Sequence, residues 1–234
     1  MWWYRAVHVR LAEVLRQRID PASLATGARL LDLGCGTGGV LRALRAALPG
    51  IRLVGLDYDA GAAVRAAAKA LAPVACGDAN HLPFGDGCFR AAVSVDVLCH
   101  RNVNEAAMLA ELRRVLAPGG LLVLNLPAFG WLHSAHDRRV HNARRYTATG
   151  ARDLLSRAGF TRVEARYWNS LLLPLMVLQR KLLARRDDAP SDVAPFAPWL
   201  DRLLGALDAA ERWLARGGLR FPAGGSVLVT AIRA

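Results

Sequence analysis

The chain has 234 residues, of which 53% are hydrophobic, which is long enough for one domain with a substantial core. Its formal net charge is +12, but nearly all of the basic residues are arginines scattered among alanine and leucine. This balance is compatible with nucleic acid, an acidic substrate or an anionic membrane surface, and selects none of them. The longest apolar run, Ser170 to Leu178, is interrupted by Pro174 and is too short to span a membrane.

The cysteines and the first residues of the chain indicate its cellular compartment. Cys35, Cys76, Cys88 and Cys99 are too far apart for a paired metal or redox motif, so we expect small buried groups and no metal site. The first five residues, MWWYR, lack the apolar segment of a secretory signal. We therefore expect a reducing, cytoplasmic setting.

A helix is predicted at the start of the chain, from Trp2 to Ile19. Its apolar side chains recur at helical spacing, and its arginines are expected on the opposite, solvent-facing side. The dipeptide Asp20-Pro21 is expected to end this helix, because the residue before a proline disfavours helical backbone angles.

The central motif is LLDLGCGTGG, at residues 30–39. Its apolar part fits a strand that is covered on both faces, as in a parallel sheet. Gly34, Gly36 and Gly38 then permit a sharp turn and the close approach of a ligand. The next segment, Val40 to Leu48, supplies a helix. Because the glycine spacing fits both dinucleotide enzymes and methyl-donor enzymes, the motif alone leaves both classes open.

The second predicted strand, Ile51 to Leu56, ends at Asp57. An acid at this place can accept two hydrogen bonds from the ribose diol of a nucleotide, in either enzyme class. Asp59 is expected to cap the helix that follows, from Ala60 to Leu71.

Strands and helices continue to alternate, which indicates a doubly wound α/β sheet with ligands at the carboxyl ends of its strands. The segment from Ala128 to Thr147 is irregular, aromatic and rich in His and Arg, and so long a loop is typical of a functional site. The other predicted strands are Val74–Gly77, Arg90–Leu98, Leu121–Leu126, Thr161–Trp168 and Ser226–Ile232, the last antiparallel at or near the edge. The other predicted helices are Asn104–Leu116, Gly150–Ala158, Leu171–Arg186 and Pro198–Leu214, with a linker at Asp187–Pro198.

Four motifs follow one another: LLDLGCGTGG at residues 30–39, VGLDYD at 54–59, CGDANHLPF at 76–84 and ELRRVLAPGG at 111–120. In this order they resemble the class I S-adenosylmethionine-dependent methyltransferases, over residues 28–167. The resemblance implies an α/β, Rossmann-like, doubly wound fold with a mostly parallel seven-stranded sheet and an antiparallel strand near the C-terminus. A nicotinamide-dependent oxidoreductase has no reason to carry the last two motifs.

The resemblance also implies how the donor S-adenosylmethionine is bound, with S-adenosylhomocysteine as the product. The glycine turn lies under the methionine part, Asp57 binds the ribose and Tyr58 packs on adenine. Asp78 accepts from the adenine amino group beside the amide of Ala79. The other implied donor-site residues are Asp32, which orients the donor through water, Ser94 at the sulfonium end, and the turn residues Gly34, Cys35, Gly36 and Gly38.

A second motif, HDRRVHNARRY at residues 136–146, resembles that of a subset of bacterial class I enzymes that also begin with an aromatic pair, here Trp2 and Trp3. A hydroxyl acceptor, or an amine that is protonated at neutral pH, needs a base, and histidine has a suitable pKa. We therefore expect His136 or His141 to deprotonate the acceptor.

Arg144 and Arg145 would then hold an anionic group on the acceptor, because the guanidinium fork suits a carboxylate or phosphate. The alternative is that these histidines and arginines only tie the loop together by hydrogen bonds. The full set of expected acceptor-binding residues is Trp3, Tyr4, His100, Trp131, Arg144 and Arg145.

We expect a single methyltransferase domain with four parts: a helical cap at 1–27, a donor-binding core at 28–167, a helical insert or lid at 168–222 and the last strand at 223–234. The insert joins an apolar segment, Leu171 to Leu178, to a basic one, Arg180 to Arg186. This pair of features fits a lid over a lipid-like acceptor or peripheral contact with an anionic membrane through residues 170–186.

The predicted function is methyl transfer to a small-molecule or lipid-like acceptor, at oxygen. The alternatives are an RNA or protein methyltransferase, a nicotinamide-dependent oxidoreductase, and a donor-binding protein without catalysis. Nucleic acid is not the expected partner, because no appended binding domain is present and SVDV stands at 94–97, where a motif for planar amines would lie.

Overall fold

Strands and helices follow one another along the chain as the hydrophobic pattern predicts. The structure is a computed structural model, which describes residues 1–19, 27–178 and 196–234 except for the side chain of His136. The strands are β1 (Arg29–Leu33), β2 (Arg52–Asp57), β3 (Val74–Cys76), β4 (Phe89–Val95), β5 (Leu116–Pro127), β6 (Phe160–Trp168) and β7 (Ser226–Arg233). The helices are α1 (Trp2–Arg18), α2 (Gly39–Ala47), α3 (Ala60–Ala70), α4 (Glu105–Val115), α5 (Ala135–Arg139), α6 (Ala148–Arg157), α7 (Leu173–Leu178) and α8 (Pro198–Arg216).

The seven strands form one sheet with the order β3-β2-β1-β4-β5-β7-β6. Neighbours from β3 to β5 pair in parallel, whereas β7 is antiparallel to both β5 and β6. The predicted doubly wound, mostly parallel sheet with an antiparallel strand near the C-terminus is confirmed. Because the strand order reverses between β1 and β4, their carboxyl ends border the crevice in which such sheets bind ligands.

Apolar layers cover both faces of the sheet, and β1 contributes to each. Leu31 and Leu33 pack in one layer with Met108 of α4. Leu30 packs in the other layer with Leu11 of α1. All five side chains are fully buried. This double coverage is the physical reason why the strand reads as an apolar run without alternation.

The strand β4 ends earlier than its sequence indicates. It stops at Val95 instead of Leu98, because Asp96 has a φ of 53° and leaves the extended conformation. The change of direction turns Asp96 and the residues after it across the carboxyl end of the sheet.

The long loop after β5 is irregular, as predicted, and contains a 3₁₀ turn at Gly130–Leu132 and the short helix α5. Three sequence-based expectations concern residues outside the described set: the helix end at Asp20-Pro21, the basic segment from Arg180 to Arg186, and the linker up to residue 195. No helix in the described part of the chain is long and apolar enough to cross a membrane.

The expectation that the arginines of α1 face solvent is wrong for Arg10. Its buried guanidinium donates hydrogen bonds to Asp208 and Glu211 of α8 and lies 4.2 Å from the ring centroid of Trp168. Glu211 also accepts hydrogen bonds from three consecutive backbone amides, at residues 169–171, with lengths of 2.7, 2.6 and 3.0 Å. This buried network joins α1, α8 and the segment that follows β6.

Replacement of Arg10 by Ala is expected to lower the free energy of unfolding by about 3–5 kcal/mol, because it leaves the buried carboxylate of Glu211 without its counter-charge and that of Asp208 with Arg212 alone. Chemical denaturation of the variant and the wild-type chain measures the difference. Arg5→Ala is the matched control, since Arg5 pairs with Asp201 between the same two helices but is largely exposed, and little change is expected. Equal effects of the two substitutions would contradict the role of the buried network.

Candidate functional site

The first part of the site is the glycine turn after β1. Gly34, Gly36 and Gly38 have φ angles of 76°, 53° and 78°, which other residues rarely adopt. A Cβ atom on Gly34 would lie 2.1 Å from Cγ2 of Val97, and one on Gly38 would lie 2.9 Å from the main chain of Ala66. A Cβ on Gly36 would meet no described atom within 4 Å. The packing of the turn therefore requires glycine at Gly34 and Gly38. At Gly36 no described atom lies where a Cβ would stand, so the backbone there is accessible to a ligand.

The carboxylate of Asp57 joins the end of β2 to this turn. It accepts hydrogen bonds from the backbone amide of Gly36 at 2.7 Å and from that of Asp59 at 3.0 Å. A carboxylate offers about four acceptor positions, so it retains capacity for a ribose diol. Asp59 caps α3, as predicted, by accepting from the amide of Ala62 at 2.6 Å.

The predicted adenine site lies at the carboxyl ends of the paired strands β2 and β3. The side chain of Tyr58 is 82% exposed, so its ring is available for stacking. Oδ1 of Asp78 accepts from the amide and the side chain of Asn80, both at 2.9 Å, which fixes the loop. Oδ2 of Asp78 lies 4.0 Å from Nδ1 of His81 and remains available, and Ala79 is buried beside it.

Asp32 is a buried carboxyl on β1. Burial is the main reason why its pKa is raised to about 7, and the negative charge of Asp57 adds to the effect. Its Oδ2 atom has no hydrogen-bond partner among the described residues. A buried oxygen in this state indicates a place where a ligand or a water molecule donates a hydrogen bond.

Ser94 and Cys35 contribute buried side chains that face the protein. The hydroxyl of Ser94 donates to the carbonyl of Leu33 at 2.8 Å and so joins β4 to β1. The thiol of Cys35 packs in the core, and burial raises its pKa to about 12, so it is not a nucleophile at neutral pH. A contact of Cys35 with a donor is thus restricted to its main chain.

A cavity of about 370 Å³ lies at the carboxyl ends of β4 and β5. Its lining includes Asp96, one residue before the Val97 side chain that Gly34 accommodates. The start of α1 forms its apolar wall, where the ring of Trp3 stacks on Trp168 with 6.3 Å between centroids. Four of the six expected acceptor-binding residues line this cavity, namely Trp3, Tyr4, His100 and Arg145.

The arginines of the second motif bind the protein itself. Arg145 forms an ion pair with Asp137, with Nη2 and Oδ1 2.7 Å apart and side chains only 3% and 0% exposed. Arg144 donates to the backbone carbonyls of His100 and Val103. These contacts correct the expectation that both guanidinium groups are free to hold an anion, and they support the alternative that they tie the loop.

Of the two expected catalytic histidines, the structure describes the side chain of His141 alone. His141 is exposed, has a φ of 58° and is not among the described lining residues, and the side chain of His136 lies outside the described residues. His100 does line the cavity, and burial is the main cause that lowers its pKa. Trp131 is half-exposed and stacks on Phe129 away from the described lining, with 5.6 Å between ring centroids.

Sequence reasoning missed Asp96 and its partner Asn125. Nδ2 of Asn125 donates to Oδ1 of Asp96 at 2.9 Å, while Nε1 of Trp168 donates to Oδ1 of Asn125 at 2.8 Å. Burial raises the pKa of Asp96 to about 7, against the opposing effects of Asn125 and the charge of Arg145. The signal that identified Asp57, an acid directly after a buried strand, would also have identified Asp96.

Comparison with known proteins gives a match to the family described as "Methyltransferase domain", over residues 31–124. The curated "24-methylenesterol C-methyltransferase 2" of Arabidopsis thaliana is 35% identical over 113 residues, which are 45% of this chain and 30% of that protein. "Malonyl-[acyl-carrier protein] O-methyltransferase" of Geobacter sulfurreducens is 34% identical over 181 residues, 69% of this chain and 66% of that protein. The first curated relatives are thus matched over only about a third of their length.

A solved structure of geranyl diphosphate C-methyltransferase from Streptomyces coelicolor A3(2) has the same fold, with a TM-score of 0.65 and 15% sequence identity over 97% of this chain and 79% of that one. This likeness shows that the fold is that of a methyltransferase, and the domain match places a methyltransferase domain at residues 31–124. S-adenosylmethionine is the donor that this family implies. The open backbone at Gly36, the orphaned oxygen of Asp32 and the spare acceptor positions of Asp57 fit that donor.

Gly34→Ala is expected to lower the free energy of unfolding by about 1–3 kcal/mol and to weaken binding of S-adenosylhomocysteine, because the new methyl group meets Val97 at an unfavourable φ. Thermal unfolding and calorimetric titration measure the two effects. Gly85→Ala is the control, since a Cβ there meets no described atom within 4 Å. Normal stability and donor affinity in Gly34→Ala would show that the turn can move away from Val97.

Asp32→Asn is expected to become more stable relative to the wild-type chain as the pH rises. The pKa of Asp32 is raised from 3.8 to about 7 on folding, so between these values the folded state binds the extra proton and stability falls with rising pH. The amide removes this dependence, and the gain from about pH 5 to about pH 8 should be about 1–4 kcal/mol. Denaturation at both pH values measures this gain in the free energy of unfolding, with the exposed Asp153→Asn as control. Parallel plots of stability against pH for the wild-type chain and Asp32→Asn would refute the prediction.

Proposed function

We propose that this chain, whose residues 31–124 match a methyltransferase domain, is a class I enzyme that transfers a methyl group from S-adenosylmethionine to the oxygen of a small-molecule or lipid-like acceptor. The observation that carries the proposal is the contact between the two halves of the site. Val97 packs against Gly34 of the donor turn, and its neighbour Asp96 lines the adjoining cavity. An acceptor in the cavity therefore lies next to the methionine end of the donor cleft.

The residues of the chain contribute to the reaction mainly by aligning the donor with the acceptor. When bound, S-adenosylmethionine supplies an already activated methyl group. The glycine turn and Asp57 hold the donor, while Trp3 and Tyr4 cover the cavity from the side of α1 and restrict water. Holding two reactants in line in this way can contribute on the order of 7–11 kcal/mol to lowering the barrier.

The size and lining of the cavity favour a small or lipid-like acceptor over a polymer. Its volume of about 370 Å³ is that of a small-molecule pocket, and aromatic residues of α1 form its wall. The relatives named above act, by their names, on a sterol, a malonyl group on a carrier protein and geranyl diphosphate. Exposed Leu171, Leu175 and Leu178 around α7 are compatible with the proposed lid over a lipid-like molecule. Peripheral membrane contact and a cytoplasmic location stay predictions.

A polar cavity group is better supported as the base than the exposed His141. Methylation of a hydroxyl requires removal of its proton, and a base must come within hydrogen-bond reach of that proton. His141 is not among the described lining residues, whereas Asp96 and His100 are. The proposal that His136 acts as the base stays open to its own test, the turnover of His136→Ala.

Calorimetric titration with S-adenosylhomocysteine and with NADH tests the proposed function. We expect binding of the former and none of the latter, and Asp57→Asn should weaken binding roughly tenfold or more, because a charged hydrogen-bond acceptor is lost. Asp153→Asn on the exposed face of α6 is the matched control. Binding of NADH without binding of S-adenosylhomocysteine would support an oxidoreductase instead.

Turnover with a ¹³C-methyl-labelled donor then distinguishes the remaining alternatives. The carbon chemical shift of the product separates an O-methyl from a C-methyl or N-methyl group. Donor binding without turnover across small-molecule, RNA and protein acceptors would favour a donor-binding protein that lacks catalysis.

A further inference from the structure

The cavity contains one carboxylate that the protein leaves partly unused. Asp96 follows β4 with a φ of 53°, and Oδ1 accepts a hydrogen bond from Asn125 at 2.9 Å. The hydrogen bond from Asn125 is the one side-chain hydrogen bond that the carboxylate forms within the part of the chain that the structure describes, and it leaves the second oxygen, Oδ2, to the cavity. Asn125 belongs to the core of the sheet and is itself held by Trp168, so the orientation of the carboxylate is fixed. A preorganised acceptor of this kind is what a general base requires.

Charged groups around Asp96 leave the cavity with a net negative character. From the loop after β5, Arg145 and Asp137 face Asp96 as a buried ion pair that neutralises itself. His100 lines the cavity from the loop after β4, and burial lowers its pKa, which keeps it neutral at physiological pH. The thiol of Cys99 donates to the side chain of Asn142 and is also uncharged. Of the side chains that line the cavity, ionised Asp96 is therefore the one charge without an ion-pair partner among the described residues. The α-amino group of Met1 also lines the cavity and interacts with the carboxylate of Asp201.

The opposite side of the cavity adds an apolar wall and a second polar atom. Trp3, Tyr4, Met176 and Phe196 all contribute to the lining. Asn169, only 4% exposed, also lines the cavity; its Nδ2 contacts the sulfur of Met176 at 3.2 Å, and Oδ1 has no partner among the described residues. Whichever way this amide is turned, one of its polar atoms remains available to a bound molecule.

We propose that the acceptor is an uncharged, largely apolar hydroxyl compound, and that Asp96 is the catalytic residue that receives the proton of its reacting hydroxyl. The proposal rests on the proposed function. The acceptor oxygen forms a bond to the methyl carbon as the sulfur–carbon bond of the donor breaks, and the electron pair of the broken bond stays on sulfur. The hydroxyl proton passes to Oδ2 of Asp96 and is later released to solvent. The amide of Asn169 receives a second polar group of the acceptor.

The negative charge of Asp96 favours an uncharged acceptor over an anionic one. A carboxylate or phosphate on the acceptor would meet ionised Asp96 without a free counter-charge, because the guanidinium of Arg145 is already neutralised by Asp137. Burial of an unpaired anion next to another is unfavourable. An uncharged hydroxyl instead donates to Asp96, and its apolar body replaces water against the aromatic wall.

The probe for this proposal is 4-nitrophenol, whose absorbance reports its ionisation. It is titrated with pH on the full chain, with and without S-adenosylhomocysteine. Ionised Asp96 opposes ionisation of a neighbouring phenol, so the bound probe should ionise about one pH unit or more above the free probe. Asp96→Asn keeps the hydrogen bond to Asn125 but carries no charge, and should abolish the shift. Asp153→Asn is the matched control and should retain it.

Two results would overturn the proposal: an equal shift in the wild-type chain and Asp96→Asn, or no binding of 4-nitrophenol at millimolar concentration. Thermal unfolding and circular dichroism establish that Asp96→Asn is folded. Failure of S-adenosylhomocysteine to bind would count against the proposed function instead, because the titration without it still tests Asp96. With any hydroxyl acceptor that turns over, Asp96→Asn should lower kcat at least a hundredfold with donor affinity unchanged, and Asp96→Glu should recover part of it.

Discussion

The close approach of two backbone segments at the carboxyl end of the sheet is the constraint on which the site depends. Gly34 lies so near Val97 that a Cβ atom would stand 2.1 Å from its side chain. This approach brings the turn after β1 against the segment after β4, and the hydrogen bond from Gly36 to Asp57 adds the end of β2. In the proposed function, this approach sets the donor cleft next to the acceptor cavity.

The buried network of Arg10, Asp208 and Glu211 has a comparable effect on the other side of the cavity. It fixes α1 to α8, and Glu211 binds the backbone at residues 169–171. The aromatic residues at the start of α1 and the amide of Asn169 are thereby both held in the lining of one cavity. A buried charge network is costly unless each member is satisfied, which gives this contact a single geometry.

The residues proposed to bind the donor could be identified from the sequence because their signals are local. A glycine turn after a strand, and acids at the ends of β2 and β3, need only strand positions and the rule that parallel strands end at one edge. The acceptor part was predicted less well. The sequence offers many polar residues in the loop after β5, but it does not indicate that Arg145 pairs with Asp137 or that His141 is not among the described residues that line the cavity.

By itself, the sequence determined the order of the strands and helices, the doubly wound sheet and the glycine turn after β1, because hydrophobic period, glycine and helix caps act within a few residues. Only the tertiary structure decided that Arg10 is buried, that Asp96 turns into the cavity and that Asn169 lies opposite it. These outcomes depend on pairing between residues up to about two hundred positions apart, as Arg10 and Glu211 are. Charge and burial at such distances are properties of the folded neighbourhood, and no local pattern encodes them.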